Sequence, residues 1–169
     1  NVSLIRQDKT IINKYSLDIN QKQKINIYGE NGSGKTSLLK MIAGITQPTE
    51  GEVDYDPLFD MNNDIFYIGH KYGLKSELTV YQNLHYTLNF SNNNGHSTIE
   101  SELEDYSMIK YMNTQVRNLS HGQKKVVSLV QLTLISNKLW ILDEPFTGLD
   151  ESKINLLLAK MDKHVDGMG

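Results

Sequence analysis

Residues 29–36 read Gly-Glu-Asn-Gly-Ser-Gly-Lys-Thr, which fits the pattern G-x-x-x-x-G-K-[ST]. Such a run can grip phosphate. Gly29, Gly32 and Gly34 let the backbone fold tightly and turn successive N–H groups toward phosphate oxygens, with Asn31 and Ser33 in the same loop. Lys35 brings a compact cation toward β- and γ-phosphates, Thr36 offers a hydroxyl to Mg²⁺, and Ser37 can reach an α-phosphate. A helix beginning at Lys35 would add the partial positive charge of its N-terminus. Eight matching residues alone can be a chance glycine-rich turn, so the specificity comes from a strand before them and a helix after them.

A second constellation lies downstream. Residues 139–144 read Leu-Trp-Ile-Leu-Asp-Glu, an apolar strand ending in two carboxylates. Ligand groups in open α/β sheets gather at the carboxyl ends of strands. Asp143 is therefore placed to hold Mg²⁺ through water, and Glu144 to polarise a water toward a γ-phosphate as general base. Alone, an Asp-Glu pair before Pro145 reads more readily as the start of a turn. Paired with the upstream cradle, it reads as phosphoryl-transfer chemistry.

These residues need elements to carry them. Strands are expected over residues 24–28, which feed the glycine-rich turn, and over 64–69 and 138–143, short apolar runs of the kind covered on both faces. Residues 2–5 and 16–19 alternate more and suit a small antiparallel sheet. Helical periodicity covers 35–43, 80–90, a weaker acidic stretch 98–112, then 120–135 and 150–164. Strands alternating with helices give an α/β fold with a mostly parallel core sheet, a small antiparallel β region and a helical insertion. The division is a nucleotide-binding core of residues 1–70 and 136–169 around a helical subdomain of 71–135. Residues 91–95 (Ser-Asn-Asn-Asn-Gly) read as a solvated loop.

Composition sets outer limits. In 169 residues, 38% are apolar and 22% charged, an ordinary globular balance. Seventeen basic against twenty acidic side chains give a net charge of −3, so no overall cationic field exists for nucleic acid, and no basic-aromatic stripe compensates. The absence of cysteine excludes disulfides, thiolate metal sites and Cys nucleophiles. No apolar stretch approaches the roughly 20 residues of a transmembrane helix. The chain begins at Asn1 rather than Met and ends at Gly169 in mid-pattern, as a fragment would.

The family is carried by a third motif. Leu119-Ser120-His121-Gly122-Gln123 resembles the LSGGQ signature of ATP-binding cassette (ABC) ATPases, with His121 in place of the first glycine. Gly148-Leu149-Asp150 is similar to the D-loop that follows the catalytic Glu. Phosphate cradle, signature, Asp-Glu and D-loop occur in the family's order across nearly the whole chain. The resemblance implies a P-loop NTPase fold, ATP and Mg²⁺ as ligands, and a head-to-tail homodimer or pseudo-dimer. There Leu119, Ser120, His121, Gly122 and Gln123 would serve the opposite chain's ATP, and Asp150 would link the two sites. Ser120 and the helix start behind it also read, on residue chemistry, as an anion site or as a plain N-cap.

A narrower likeness lies in residues 69–79, Gly-His-Lys-Tyr-Gly-Leu-Lys-Ser-Glu-Leu-Thr. Together with residues 139–147 they are similar to the ATP-binding subunits of cytochrome c maturation systems, of the haem-export type. His70 stands where the family usually has a Gln, and there it could ligate Mg²⁺ or orient water; it could also be a loop histidine with no ligand role. The resemblance implies transmembrane permease subunits as partners, docked near residues 70–79, and a peripheral place on the cytoplasmic face of the inner membrane. Arg6 occupies the position of the usual adenine-stacking aromatic, which would weaken nucleotide binding or its base selectivity. The family's switch histidine lies one strand beyond residue 169, so the chain is expected to bind Mg-ATP but turn it over poorly. His164 reads instead as a helix-end cation, and Lys124 and Lys125 as a solvated helix face. Three alternatives stay open: the ATPase of another ABC transporter, a soluble ABC ATPase acting on nucleic acid or the ribosome, and a non-hydrolysing regulatory cassette, against which the retention of Asp143 and Glu144 speaks.

Overall fold

The computed structural model describes residues 1–90 and 97–168, so the loop read at 91–95 lies outside the described residues. Strands β1 (Val2–Arg6) and β2 (Lys9–Tyr15) form an antiparallel hairpin. Gln7 and Asp8 both take positive φ (47° and 61°), as a tight two-residue turn requires. The second strand therefore precedes the one read at residues 16–19. Those residues run on without a ladder, with Leu17 and Ile19 exposed. Residues 24–28 form no strand either. Alternating polar side chains leave Ile25 42% and Tyr28 85% exposed, and no strand among the described residues takes up the backbone. The hairpin packs on helix α1 (Lys35–Ile42) through Val2, Leu4, Ile12, Leu38 and Met41.

The parallel ladder joins β3 (Ile65–Ile68) to β4 (Leu139–Leu142), with Ile65 opposite Leu139 and Ile68 opposite Leu142. Between these strands the chain makes the helical layer: α2 (Val80–Phe90), α3 (Ile99–Asp105) and α4 (His121–Leu134). Helix α2 starts on a capping box, with Gln82 N–H donating to the Thr79 hydroxyl and Thr79 N–H to Gln82 Oε1. Helix α3 stops well short of the expected residue 112. Ser107 takes φ 56°, its N–H donates to Glu104 O, and Met108 N–H donates to Leu103 O. This is a Schellman end closed by contact between Leu103 and Met108, both buried in the same cluster.

Helix α4 is buried on two sides. Val126, Val127, Val130 and Leu134 join Val80, Leu84, Leu103 and Tyr106 in the helical core. Leu129 and Leu132 turn instead to Ile68 of β3 and Leu157 of helix α5 (Glu151–Met168). Helix α5 is tied to the helical layer by Lys160, which donates to Glu102 (2.7 Å) and Asp105 (2.8 Å). His164 corrects its reading as a helix-end cation: α5 continues past it, and its ring stacks on Trp140 at 4.0 Å between centroids. Burial lowers its pKa below the ordinary imidazole value, against the opposing effect of its hydrogen bond to Lys138 O. Among the described residues no helix is long and apolar enough to cross a membrane.

Candidate functional site

The phosphate-binding run sits between the hairpin and α1. Gly34 is the N-cap of α1 in a left-handed conformation (φ 97°), and a Cβ there would come 3.0 Å from Ile11 Cγ2 and 3.1 Å from Ile11 O. Both the turn and the hairpin's close approach therefore require glycine. With no capping side chain and no acidic residue in the first turn, the first N–H groups of α1 keep their capacity for an anion. Lys35 folds back over the loop, donating to Gly29 O and Glu30 O at 2.7 Å each. Its ammonium thus lies over the cradle, the side from which a phosphate would draw it.

A cleft of about 390 Å³ opens beside this loop. Its walls bring together Arg6 and Ile11 from the hairpin, Asn31 to Ser37 of the loop and helix start (Ser33 excepted), and His70 and Glu144 from the ends of β3 and β4. Residues 64 positions apart and more thus meet in one place. The last rung of the parallel ladder, Asp143 N–H to Ile68 O at 2.8 Å, holds Asp143 at the strand end. Its carboxylate is buried and accepts from the Thr36 hydroxyl at 2.9 Å. Mg²⁺ favours hard oxygen donors, one or two from protein and the rest from water and phosphate. A hydroxyl and a carboxylate this close fit that demand. Under them, Gly69 covers the buried Tyr67 hydroxyl, whose pKa is raised by burial and by the charge of Asp143.

Glu144 is exposed and adopts φ 49°, a left-handed conformation that costs a branched-free non-glycine residue on the order of 1–3 kcal/mol. The residue facing it is one that sequence reading misplaced. Lys125 is buried, 3% exposed, and not part of a solvated face. Its ammonium donates to Glu144 O at 3.0 Å and lies 5.6 Å from the centroid of the Tyr72 ring. Burial lowers its pKa, opposed by the charges of Asp143 and Glu144. A signal existed in the run Lys125, Ser128, Gln131, a polar stripe at three-residue spacing inside an apolar helix, all three buried.

The residues at 119–123 do not line the cleft. Leu119 is buried in the helical core. Ser120 is the exposed N-cap of α4 and forms a full capping box with Gln123: Gln123 N–H to Ser120 Oγ (3.2 Å) and Ser120 N–H to Gln123 Oε1 (2.8 Å). The His121 ring meets the Tyr72 hydroxyl at 3.1 Å. At Gly122 a Cβ would lie 3.0 Å from Gly148 O, so the helix start abuts the turn leading to Asp150. Asp150 caps α5, accepting from Ser152 Oγ (2.6 Å) and Lys153 N–H (3.0 Å); its hydrogen bond with the Lys153 ammonium, then that with Ser152, holds its pKa below the usual carboxylate range.

Comparison with known proteins follows the same lines. Residues 12–147 match the family described as ABC transporter. The cytochrome c biogenesis ATP-binding export protein CcmA of Shewanella frigidimarina is 34% identical over 174 residues, 99% of this chain and 80% of that protein. CcmA of Haemophilus influenzae is 34% identical over 176 residues, covering 83% of its length. Among solved structures, an ATP-binding subunit of an ABC transporter superposes with TM-score 0.84 at 23% identity, over 98% of this chain and 72% of that one. A dimeric ATP-binding cassette in a post-hydrolysis state, bound to ADP and Pi, superposes with TM-score 0.81 at 26% identity, over 99% of this chain and 83% of that one.

Proposed function

The chain belongs to the ABC transporter family of ATPases and has its P-loop cassette fold, and on that premise we propose that it is the ATP-hydrolysing subunit of a cytochrome c biogenesis exporter of the haem-export type. It works on the cytoplasmic face of the inner membrane beneath permease subunits that dock near residues 70–79. The support for this specificity is the 34% identity to the CcmA export proteins over the whole chain. The observation that carries the ATPase reading is the cleft joining the glycine-rich loop, His70 and Glu144 around the Thr36–Asp143 pair.

In this reading the N–H groups of Gly29, Asn31, Gly32, Ser33 and Gly34 and the start of α1 cradle the phosphates of ATP. Lys35 swings from the loop carbonyls to the β- and γ-oxygens, and Ser37 reaches the α-phosphate. Arg6 lies along the adenine. Thr36 and Asp143 hold Mg²⁺, which when bound neutralises charge on the phosphates. Glu144 takes the proton of the attacking water, and His70 orients that water or completes the metal's shell. The capped start of α4 lies outside its own cleft, and the His121 and Gly122 N–H groups, left over by the capping box, meet the ATP of a second copy. Asp150 lies beside it at the same face. Residues 71–135 move as the helical subdomain, and dimer closure drives the permease.

Titration of the chain with a fluorescent ATP analogue and Mg²⁺ tests this. Lys35→Ala is expected to weaken binding at least about tenfold, and Arg6→Tyr to tighten it by about 1 kcal/mol or less, the difference between a guanidinium and an aromatic platform. Glu144→Gln with Mg-ATP is expected to sediment as a dimer that Ser120→Arg abolishes. Binding insensitive to Lys35, or a Glu144→Gln chain monomeric at every ATP concentration, would overturn the reading.

A further inference from the structure

We infer that Lys125 is a positioning residue for the general base, clamping the Glu144 carbonyl and tying it through Tyr72 to the start of the signature helix; the inference rests on the ATPase reading of the cleft. The contacts join three segments distant in sequence. Lys125 lies one turn into α4, buried, and its ammonium meets Glu144 O at 3.0 Å. The same ammonium lies against the Tyr72 ring at 5.6 Å. Tyr72, two residues beyond His70, places its hydroxyl 3.1 Å from the His121 ring, and the two rings are 5.2 Å apart.

A lysine ammonium buried this far is costly unless it is used. Here its hydrogen bond goes to a backbone carbonyl, not to a carboxylate. Pairing with the Glu144 side chain would neutralise the base and pull it out of the cleft. Donation to the carbonyl instead fixes the backbone and leaves the carboxylate unengaged by the ammonium, and Glu144 forms part of the cleft wall. The left-handed φ of Glu144 marks a conformation that surrounding contacts must hold. The turn that follows closes on the same oxygen, since Thr147 N–H also donates to Glu144 O, at 3.3 Å. Lys125 and the turn thus share one acceptor. Moreover, the clamp sits on the helix whose first residues lie at the proposed partner face. A shift of α4 on dimer closure would be felt at the base through Lys125 and at residue 72 through His121.

Three substitutions separate a positioning role from a merely structural one. Lys125→Met keeps length and apolar fit but removes the donor. It is expected to lower kcat about 10- to 100-fold, the effect of misplacing a reacting group by about an ångström, with the dissociation constant for Mg-ATP within about twofold of wild type. Lys125→Arg, which retains cation and donor, is expected to recover most of that loss. Tyr72→Leu acts at a partly exposed loop residue, so folding is safe, and is expected to lower kcat by a smaller factor. Hydrogen exchange of peptides spanning residues 143–149 supplies a readout independent of turnover: faster in Lys125→Met, restored in Lys125→Arg.

Wild-type kcat in Lys125→Met and Tyr72→Leu, or unchanged exchange at 143–149, overturns the inference and leaves the ATPase reading intact. A wild-type chain that fails to bind Mg-ATP counts against the ATPase reading, and the exchange measurement then decides the clamp alone. Loss of both binding and folding in Lys125→Met passes the decision to Tyr72→Leu.

Discussion

The helical layer and the phosphate-binding layer are built to different standards. In the first, Val80, Leu84, Leu103, Val127, Val130 and Leu134 are fully buried, and the polar ends of the helices are capped. In the second, the cluster under the hairpin holds five buried side chains, and residues 16–28, apart from Ile27 which packs against it, run exposed beside it. The glycine-rich loop is thus carried on a cluster of five buried apolar side chains, against twelve in the helical core. Local stability follows such contacts, and ligand-binding segments are drawn from its low end. The difference suggests that the helical layer is the rigid body of the cassette, and that the cradle is completed by what binds in it.

The largest expected effect breaks the stronger layer. Lys160 is nearly buried (13% side-chain exposure) between Glu102 (5%) and Asp105, over the Tyr106 ring. Burial would depress its pKa, but the hydrogen bonds to Asp105 and Glu102 and their charges prevail, and the net shift is upward. Lys160→Met leaves the Glu102 carboxylate buried and unpaired, which costs about 3–5 kcal/mol. Urea unfolding followed by far-UV circular dichroism checks this. Lys160→Met combined with Glu102→Leu is expected to recover much of the loss, because an apolar pair of similar volume needs no partner. The sign with pH is set by the raised lysine: its contribution is fully present below the unfolded-state pKa and disappears as pH rises through the folded one. A loss under about 1 kcal/mol in the single variant would remove the contrast between the layers.

The next effect sharpens the contrast from the other side. Mg-ATP at 100 times its dissociation constant stabilises the folded chain by about 2.7 kcal/mol. Hydrogen exchange is expected to place the added protection on residues 29–42 and on the hairpin, with little change in α2 and α3, which are already protected. Uniform protection across both layers would mean that the phosphate-binding layer is no looser than the other.

How far the sequence disclosed this arrangement depended on how local each cause is. The loop at residues 29–36 was legible because the conformation and the chemistry sit in the same few residues. The start of α4 was legible through Ser120, a capping residue that closes within one turn with Gln123, and the start of α2 through the periodicity of residues 80–90. The end of α3 was not, since Ser107 occupies a left-handed position that glycine would have flagged. Residues 24–28 have the apolar alternation of a strand, but a strand exists only with a partner, and alternation names none. Lys125 was misread because a helix is assumed to keep one wet face, whereas α4 lies between two cores and is buried from residue 125 to residue 132. The meeting of His70 with Glu144 could be anticipated only through the family's motif order, because no local pattern encodes it.

The smallest expected effect lies at the seam between β4 and α5, where His164 covers Trp140. The hydrogen bond to Lys138 O requires a proton on Nε2, which the neutral ring supplies from one tautomer, leaving Nδ1 free of charge. Burial makes the imidazolium the disfavoured form, so the folded-state pKa lies below the unfolded one. Hence the unfolded chain binds more protons across that window, and stability is fully present above the ordinary imidazole value of 6.5. It falls as pH drops through the folded pKa. Because the ring is only partly buried, solvent screens the charge and the decline is modest. His164→Gln retains a donor for Lys138 O without titrating, and its stability is expected to be flatter between pH 7 and about pH 5 than that of the wild type. Equal slopes in the two proteins would show that the Trp140–His164 stack opens readily enough to hydrate, and the seam would then belong with the looser layer.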